Sequence, residues 1–419
     1  MEKSGKFRLT SLERNWILYD VGNSAFVLMV ATLIPIFFNA LAEAGGLSSV
    51  EYLAYWGYAS SAVTVITAVL SPILGTVADT KGFKKPIFIL CVFVGIVGCC
   101  AMGAASAWLP FLVIFVIAKV GFSGSLVFYD SMLSDVTTPE RMDEVSSRGY
   151  AWGYIGSCVP FVVCLGLVLG AGSIGISQMT ALNLALLLTA AWWLLTTLPL
   201  LKSYKQLHYV EVEKHAVRQS FARIGHTLRH LPEDKQVFWF LLAFFCYIDG
   251  VYTIIDMATA YGTALGLDTT GLLLALLVTQ IVAFPSALIF GRLSNKYPSA
   301  KLIPVCIAAY TGIAVFAFFL KSQWQFWVLA VVVGMFQGGV QALSRSHFAK
   351  IIPQEKSGEY FGLFDICGKG ASFLGTMIVS VGSQLTGSAN VGVGSIAILF
   401  VIGFVLFGIS TRTEETKQA

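Results

Sequence analysis

Long apolar runs alternate with short polar segments along the whole chain. Because about 20 apolar residues cross the hydrocarbon core of a bilayer, each run has the length of a membrane-spanning helix. In the first half of the chain the pattern predicts spans at 16–41, 51–78, 86–106, 109–132, 145–170 and 178–201. In the second half it predicts spans at 236–262, 268–294, 301–320, 325–348, 357–386 and 389–411. The sequence therefore predicts an all-α integral membrane protein with twelve transmembrane helices.

A polar segment separates the sixth and seventh predicted spans. We expect a six-helix half at 1–201, a linker at 202–235 and a second six-helix half at 236–419. Within the linker, an apolar stripe at helical spacing favours a short helix on the membrane surface, formed by Phe221, Ile224, Leu228 and Leu231. The alternative is a plain tether whose charges are solvated.

The basic residues set the expected orientation, because lysine and arginine are enriched in loops on the cytoplasmic side of a membrane. If the amino terminus is cytoplasmic, nearly all of the 27 Lys and Arg residues fall in or beside cytoplasmic segments. Lys119 and Lys369 then fall inside spans, and Lys321 falls on the side of the membrane opposite the cytoplasm. Both termini are therefore expected on the cytoplasmic side.

Composition excludes several other classes of protein. Charged residues make up 12% of the 419 residues, against about 25% in a soluble domain. The net charge of +4 does not indicate nucleic-acid binding, because the basic residues are confined to loops. All eight cysteines lie in apolar runs, which indicates packing residues rather than disulfides or a metal site. We expect no cofactor, no metal, no nucleic-acid partner and no enzymatic activity.

Short matches recur at a nearly constant separation along the chain and indicate an internal duplication. The pairs, 214 to 216 residues apart, are Ser106 and Ser322, Trp108 and Trp324, Pro139 and Pro353, and Gly156 and Gly370. Repeats of this kind are typical of transporters that bind substrate near the middle of the membrane, between the repeats.

The loop after the second predicted span carries a charged turn, GTVADTKGFKK, from Gly75 to Lys85. Gly75 lets two helices approach closely, and Asp79 can reach the amino end of a neighbouring helix or a cation. The turn resembles the G-x-x-x-D-x-x-G-x-[RK]-[RK] signature of the major facilitator superfamily. A weaker copy begins at Gly291, at the end of the eighth span, with Asn295 in the place of the aspartate.

Ionisable residues inside membrane spans are costly and usually functional. The predicted spans contain Asp20, Lys119, Asp130, Asp249, Asp256, Asp365 and Lys369, with the neutral polar residues Gln280, Gln337 and Gln341. The alternative for each charge is a structural ion pair, and Asp365 and Lys369 are spaced to form one. Asp256 has a further alternative, a solvated position at the outer interface.

Several segments together resemble the vacuolar (autophagy-related) effluxer family and its bacterial relatives. They are WILYDVGNSAF from Trp16, FYDS from Phe128, GYAWGYIGS from Gly149, Asp249-Gly250 and QGGVQALSRS from Gln337. The resemblance covers nearly the whole chain, and it departs from the family pattern at Val21-Gly22 and Asp130. It implies the major facilitator fold, with two pseudo-symmetric six-helix halves, and export of amino acids from a vacuole. Compact loops and the lack of glycosylation sequons favour a bacterial inner membrane here.

In the superfamily that the chain resembles, the first, fourth, seventh and tenth helices line the cavity. The resemblance therefore implies substrate contacts from Tyr19, Asp20, Asn23, Lys119, Tyr252, Gln337 and Gln341. Proton coupling is expected at Asp249 and Asp256, because a carboxyl group in a low dielectric binds a proton more readily. Gating is expected from Gly75, Asp79, Asp130, Arg148, Gly291, Asn295, Arg345, Asp365 and Lys369.

The repeat makes one gating contact specific. Asp130 and Arg345 occupy corresponding positions of the two halves, at the same depth and with opposite charge. We predict a salt bridge between them that forms across the halves when the cytoplasmic side closes. The alternative is that each pairs within its own half, for example Asp130 with Arg148.

The expected function is secondary active transport by alternating access, with proton-coupled export or exchange of a small polar metabolite such as an amino acid. One alternative is a lipid or amphiphile transporter of the same fold. Another is a non-transporting receptor or scaffold, which has no use for carboxylates inside the membrane. The expected partners are a small-molecule substrate and the lipid bilayer, and a monomer is expected.

Overall fold

The structure of the chain, a computed structural model, describes residues 7–211, 225–227 and 229–418. The first half contains α1 (Ser11–Ala31), α2 (Leu33–Ala44), α3 (Ser49–Ala78), α4 (Lys84–Met102), α5 (Trp108–Ser131), α6 (Leu133–Val136), α7 (Met142–Leu169) and α8 (Gln178–Ser203). The second half contains α9 (Lys235–Ala264), α10 (Thr269–Leu293), α11 (Ser299–Phe318), α12 (Gln323–Ile351), α13 (Ser357–Thr386), α14 (Ala389–Gly394) and α15 (Ala397–Gln418). The predicted all-α class is confirmed.

Eleven helical stretches in the described part of the chain are long and apolar enough to cross a membrane. The helix α13, with 30 residues, supplies the remaining span, which is the eleventh in chain order.

The first predicted span, 16–41, is not one straight helix. It is a stretch of 34 residues, Ser11–Ala44, that breaks at Thr32 into α1 and α2. Pro35, the third residue of α2, has no N–H to donate to the carbonyl one turn earlier, and its ring clashes with that carbonyl. The Thr32 hydroxyl donates to the Leu28 carbonyl (2.5 Å) and satisfies one acceptor at the break.

The last predicted span, 389–411, is also interrupted. The short α14 ends at Gly394, and α15 begins at Ala397. Between them the backbone tightens to three-residue hydrogen bonds, from Ile396 N to the Val393 carbonyl (3.2 Å) and from Leu399 N to the Ile396 carbonyl (2.9 Å). The apolar pattern does not show this tightening, since all of these residues are apolar or small.

Each half packs mainly on itself. In the first half α1 lies against α7 and α8, and α4 lies against α5. In the second half α10 lies against α12, and α9 lies against α15. The main contacts between the halves are α3 with α13 and α7 with α10. These two pairs are equivalent under the predicted repeat, which exchanges the second span with the eighth and the fifth with the eleventh.

The chain leaves α8 as an extended segment, Tyr204 to Glu211, in which Val210 forms a β-bridge with Thr80. We call residues 204–211 the linker segment. We call the end of the helix bundle where it lies the linker face, and the opposite end the far face. Of the expected surface helix, Phe221, Ile224 and Leu228 lie outside the described residues, and Leu231 begins a single 3-10 turn, Leu231–Glu233.

Candidate functional site at the seam between the halves

Arg345 of α12 reaches into the first half near the linker face. Its Nη1 lies 3.0 Å from Oδ1 of Asp130 on α5 and 3.7 Å from Oδ2 of Asp20 on α1. Its Nε donates to the Ser146 hydroxyl (2.9 Å), and its Nη2 donates to the Ser146 carbonyl (3.0 Å) on α7. The Arg345 side chain is 2% exposed. Three helices of the first half, α1, α5 and α7, therefore contact one cationic side chain of the second half.

Aromatic rings complete the environment of this cation. The guanidinium carbon lies 4.7 Å from the ring centroid of Trp16, 5.4 Å from that of Tyr129 and 4.3 Å from that of Tyr150. Trp16 stacks on Tyr129, with centroids 4.3 Å apart. Ring faces attract a guanidinium, so they stabilise a charge that the bilayer interior would otherwise disfavour.

The predicted contact between Asp130 and Arg345 is thus present in the structure. The alternative partner, Arg148, contacts Glu144 in its own helix through Nη2 (2.5 Å) and Nε (3.1 Å). Pairing of Asp130 with Arg148 is not the arrangement seen. The gating role of both arginines stays a prediction.

A second ion pair, close to Arg345, crosses the interface between the two halves, which we call the seam. Oδ2 of Asp143, at the start of α7, lies 2.6 Å from Nζ of Lys350 on α12. Oδ1 of the same carboxylate accepts from the Ser346 hydroxyl (2.6 Å). In addition, the Ser146 hydroxyl donates to the Ala342 carbonyl (2.8 Å).

The charged turn after α3 crosses the seam at a third place. The two carboxylate oxygens of Asp79 accept from the backbone N–H groups of Gly358 (2.7 Å) and Glu359 (2.8 Å), in the first turn of α13. A Cβ atom at Gly75 would overlap the Gly358 carbonyl oxygen. The expected close approach at Gly75 and the reach of Asp79 to a helix amino end are therefore both present. Burial raises the pKa of Asp79 to about 6, although the Lys84 ammonium opposes the rise.

The weaker copy of the turn makes the corresponding contact. The Asn295 amide donates to Oε2 of Glu144 (2.7 Å), in the first turn of α7. A Cβ atom at Gly291 would lie 2.8 Å from Cβ of Ser147. The donor and acceptor are reversed between the copies, since Asp79 accepts from backbone N–H groups whereas Asn295 donates to a side chain.

Asp365 lies at the same seam, where Oδ2 accepts from the Ser71 hydroxyl of α3 (2.7 Å). Its expected pairing with Lys369 stays a prediction, because the side chain of Lys369 lies outside the described residues.

The expected substrate residues lie on four helices, α1, α5, α9 and α12. The Tyr19 hydroxyl donates to Ser125 (2.6 Å), and the Asn23 amide donates to the Tyr19 carbonyl (3.1 Å), so both are engaged within the first half. Gln341 accepts from the Tyr154 hydroxyl (2.7 Å) across the seam.

Gln337 lies one turn from Gln341 on α12 and is 5% exposed. Its side-chain oxygen has no hydrogen-bond partner in the described part of the chain. Tyr252 on α9 is half-buried. Contact of any of these residues with a substrate stays a prediction.

Two charges face each other farther from the linker face. Lys119 on α5 is half-buried, and its Nζ lies 4.7 Å from the ring centroid of Phe122. Asp256 on α9 is exposed although it lies within a membrane-spanning helix, and it interacts electrostatically with Lys119.

Asp249, also on α9, is fully buried within the second half. Both of its carboxylate oxygens lie 2.9 Å from the backbone N–H of Gly375 on α13. The Thr253 hydroxyl donates to the same carboxylate (3.3 Å). The two expected proton-coupling residues therefore differ in environment.

The family model for "Vacuole effluxer Atg22 like" proteins matches residues 11–140 and 134–419. The chain belongs to this family. An "Uncharacterized MFS-type transporter YxiO" of Bacillus subtilis is 41% identical over 419 residues, with 98% of each chain covered. "Autophagy-related protein 22" of Yarrowia lipolytica is 26% identical over 306 residues, which cover 66% of this chain and 51% of the yeast protein.

Solved structures show that this Atg22-like chain has the major facilitator superfamily fold. The human organic anion transporter MFSD10 superposes with a TM-score of 0.73 at 14% identity, covering 94% of this chain and 98% of that one. The major facilitator transporter FucP in its outward conformation superposes with a TM-score of 0.72 at 15% identity, covering 96% and 97%. The Atg22-like chain is thus a secondary transporter by family, and it is not an enzyme.

Sequence reasoning missed several residues at the seam of this Atg22-like chain, among them Asp143, Glu144, Ser146 and Lys350. The spacing of four between Ser346 and Lys350 places both on one face of α12, and it was the available signal. The acidic pair at the start of α7 gave none, because acidic residues are common in the first turn of any helix.

Proposed function

We propose that this secondary transporter exports or exchanges a small polar metabolite, an amino acid in the first instance, in a proton-coupled cycle of alternating access. The observation that carries the substrate class is the facing pair of Lys119 and Asp256. They lie on opposing halves, interact electrostatically and leave the Asp256 carboxylate exposed. A molecule with both an ammonium and a carboxylate group can set each against the opposite charge.

The cycle is proposed to work at the seam. The bonds of Arg345, Asp143 and Asp79 join the halves at the linker face, and they must break for that face to open. We take the linker face to be cytoplasmic because the basic loops lie there. We further propose that the protein is a monomer in a bacterial inner membrane. Its halves are residues 1–201 and 236–419, and residues 202–235 link them.

Proton coupling is assigned to Asp249 and Asp256. Protonation of Asp249 would weaken its bonds to the Gly375 N–H, since a neutral carboxyl is a poorer acceptor. Because Gly375 belongs to α13, which also packs on α3 at the seam, a proton on Asp249 has a route to the contact between the halves. Asp256 is exposed and is positioned to exchange a proton before substrate binds.

Transport in liposomes tests the proposal. We expect Lys119→Gln to lower the counterflow of amino acids by at least about tenfold, because the loss of one charge-assisted hydrogen bond costs about 1.5–3 kcal/mol. Lys321→Gln, at an exposed far-face lysine, is the matched control and should leave counterflow unchanged. Asp249→Asn should retain counterflow and lose accumulation driven by a pH gradient.

Counterflow at the wild-type rate in Lys119→Gln would exclude the assigned substrate site. Accumulation at the wild-type level in Asp249→Asn would exclude the assigned coupling site.

One observation favours transport of an amphiphile as the second candidate function. An apolar cavity of about 150 Å³ lies between α3, α4 and α5. It is lined by side chains that include Leu74, Leu90 and Val94, and Leu90 is exposed on the outer surface of the bundle. Such a cavity suits an acyl chain. Counterflow of a lysolipid, with none of an amino acid, would favour this candidate.

A further inference from the structure

The linker segment is bonded to the charged turn rather than lying free across it. Val210 N donates to the Asp79 carbonyl (2.8 Å), and Lys81 N donates to the Val210 carbonyl (3.3 Å). The Gln206 side chain donates to the Ala78 carbonyl (3.1 Å) and accepts from Gly82 N (2.9 Å).

Asp135 of α6 is the centre of this docking. Its Oδ2 accepts from the Tyr204 hydroxyl (2.5 Å). Its Oδ1 accepts from Leu207 N (3.2 Å) and His208 N (2.9 Å), and it lies 3.0 Å from Nδ1 of the His208 ring. The Asp135 side chain is fully buried, whereas that of His208 is 30% exposed. One buried carboxylate therefore fastens the linker segment, and its imidazole partner remains open to solvent.

Lys84 connects this docking to the seam. Its buried Nζ lies 3.8 Å from Oδ2 of Asp135 and 3.6 Å from Oδ1 of Asp79. It also donates to the Ser357 hydroxyl (2.8 Å), at the start of α13 in the second half. Two buried carboxylates thus share one lysine. A proton on His208 supplies the second positive charge.

We propose that His208 is a proton-binding site that holds the linker segment on Asp135 and thereby couples the pH at the linker face to closure of the seam. When His208 carries the proton, it neutralises Asp135 and leaves Lys84 to Asp79 and Ser357. When the proton leaves, Lys84 alone must serve both carboxylates, and the linker segment loses its charged contact.

On balance, the groups that face His208 favour its protonated form. The hydrogen bond that the His208 ring donates to Asp135 raises the pKa of His208, and the charges of Asp135 and of Glu355 in the second half raise it further. Burial and the Lys84 charge oppose this rise. Tyr204, the fourth neighbour, shares the Asp135 carboxylate. The docked state binds the His208 proton more tightly than the released state does. Protonation of His208 therefore stabilises docking fully at pH values below the ordinary pKa of histidine. This stabilisation is lost as the pH rises through the raised pKa that His208 has in the docked state.

Two other carboxyl groups titrate near this site, and they must be separated from His208. The pKa of Asp79 is raised to about 6, so Asp79 takes up a proton mainly at more acidic pH. The pKa of Asp135 is lowered because its bonds to His208 and Lys84 outweigh its burial. Asp135 therefore stays charged throughout the neutral range. The interval from about pH 6.5 to 8.5 isolates the histidine.

Spin-label distances in the full-length protein in nanodiscs test the proposal. Because the chain has eight cysteines, labels are attached through an unnatural keto amino acid. One pair, at Lys205 and Glu140, reports docking of the linker segment. A second pair, at Glu140 and Lys301, reports closure of the seam. All three positions are exposed.

In the wild type we expect the ratio of docked to released linker to fall between pH 6.5 and 8.5, by at most about tenfold per pH unit for one proton. The seam distance should lengthen in parallel. His208→Gln should abolish both trends in this interval, and Asp135→Asn should release the linker at every pH. His230→Gln, whose ring bonds the His226 carbonyl within the linker, is the matched control and should keep both trends.

Equal pH dependence in the wild type and in His208→Gln would overturn the proposal. A seam distance that does not follow linker release would overturn it as well. The test needs no substrate.

Discussion

Arg345 is the residue on which the closed seam depends most, because it brings a buried cation of one half against two carboxylates of the other. Removing one partner of a buried ion pair leaves the other charge buried without a counter-ion. This lowers the stability of the protein by roughly 3–5 kcal/mol when the pair is fully buried. Asp130 is 20% exposed, so we expect a smaller loss of stability when it is replaced.

The test at this scale is a comparison of thermal unfolding in one detergent. Arg345→Gln and Asp130→Asn should each destabilise the protein by about 1–3 kcal/mol. Arg148→Gln, which breaks a pair within one helix, should cost about 0.3–0.5 kcal/mol. The swap Asp130→Arg with Arg345→Asp should recover part of the loss. If Arg148→Gln and Arg345→Gln lowered the free energy of unfolding equally, and the swap recovered none of it, the Arg345–Asp130 pair would contribute no more stability than an ion pair within one helix.

The contact of Arg345 with Asp130 was predictable because the repeat places both residues at one depth with opposite charge. Asp143 and His208 were not predictable in this way. Their partners, Lys350 and Asp135, lie in segments that no repeat relates to them. The sequence pattern alone could not show that these segments meet.

Glycine decides how closely the helices of the two halves approach. A Cβ atom at Gly75 would overlap backbone of α13, whereas a Cβ atom at Gly57, on the same helix, meets no atom of the described residues within 4 Å. Overpacking costs about 1–3 kcal/mol. An alanine at Gly75 should therefore separate α3 from α13, and an alanine at Gly57 should not.

Hydrogen exchange measures this separation at the amides of Gly358 and Glu359, which donate to Asp79. We expect exchange in residues 353–362 to be about tenfold faster in Gly75→Ala than in the wild type, and unchanged in Gly57→Ala. Unchanged exchange in both variants would mean that the α3–α13 contact does not depend on Gly75.

The helices themselves were largely predictable, since hydrophobic length alone located the spans. The breaks at Thr32 and between α14 and α15 were not. Pro35 was a visible signal for the first break, but a proline inside a membrane helix is often tolerated when its neighbours satisfy the freed groups. The second break lies among apolar and small residues, so hydropathy carried no sign of it.

At the scale of the molecule, the contacts are distributed in a way that predicts how the halves move. The Arg345, Asp143 and Asp79 bonds gather at the linker face. If the halves rock as units, opening that face must bring them together at the far face. A local rupture of the seam would leave the far face as it was.

Two spin-label distances measured in the same preparation separate these cases. One pair joins Glu140 to Lys301 across the linker face, and the other joins Ser173 to Thr386 across the far face; all four positions are exposed. In Arg345→Gln the account predicts that the linker-face distance lengthens and the far-face distance shortens in the same fraction of molecules. A longer linker-face distance with an unchanged far-face distance would contradict alternating access in this protein.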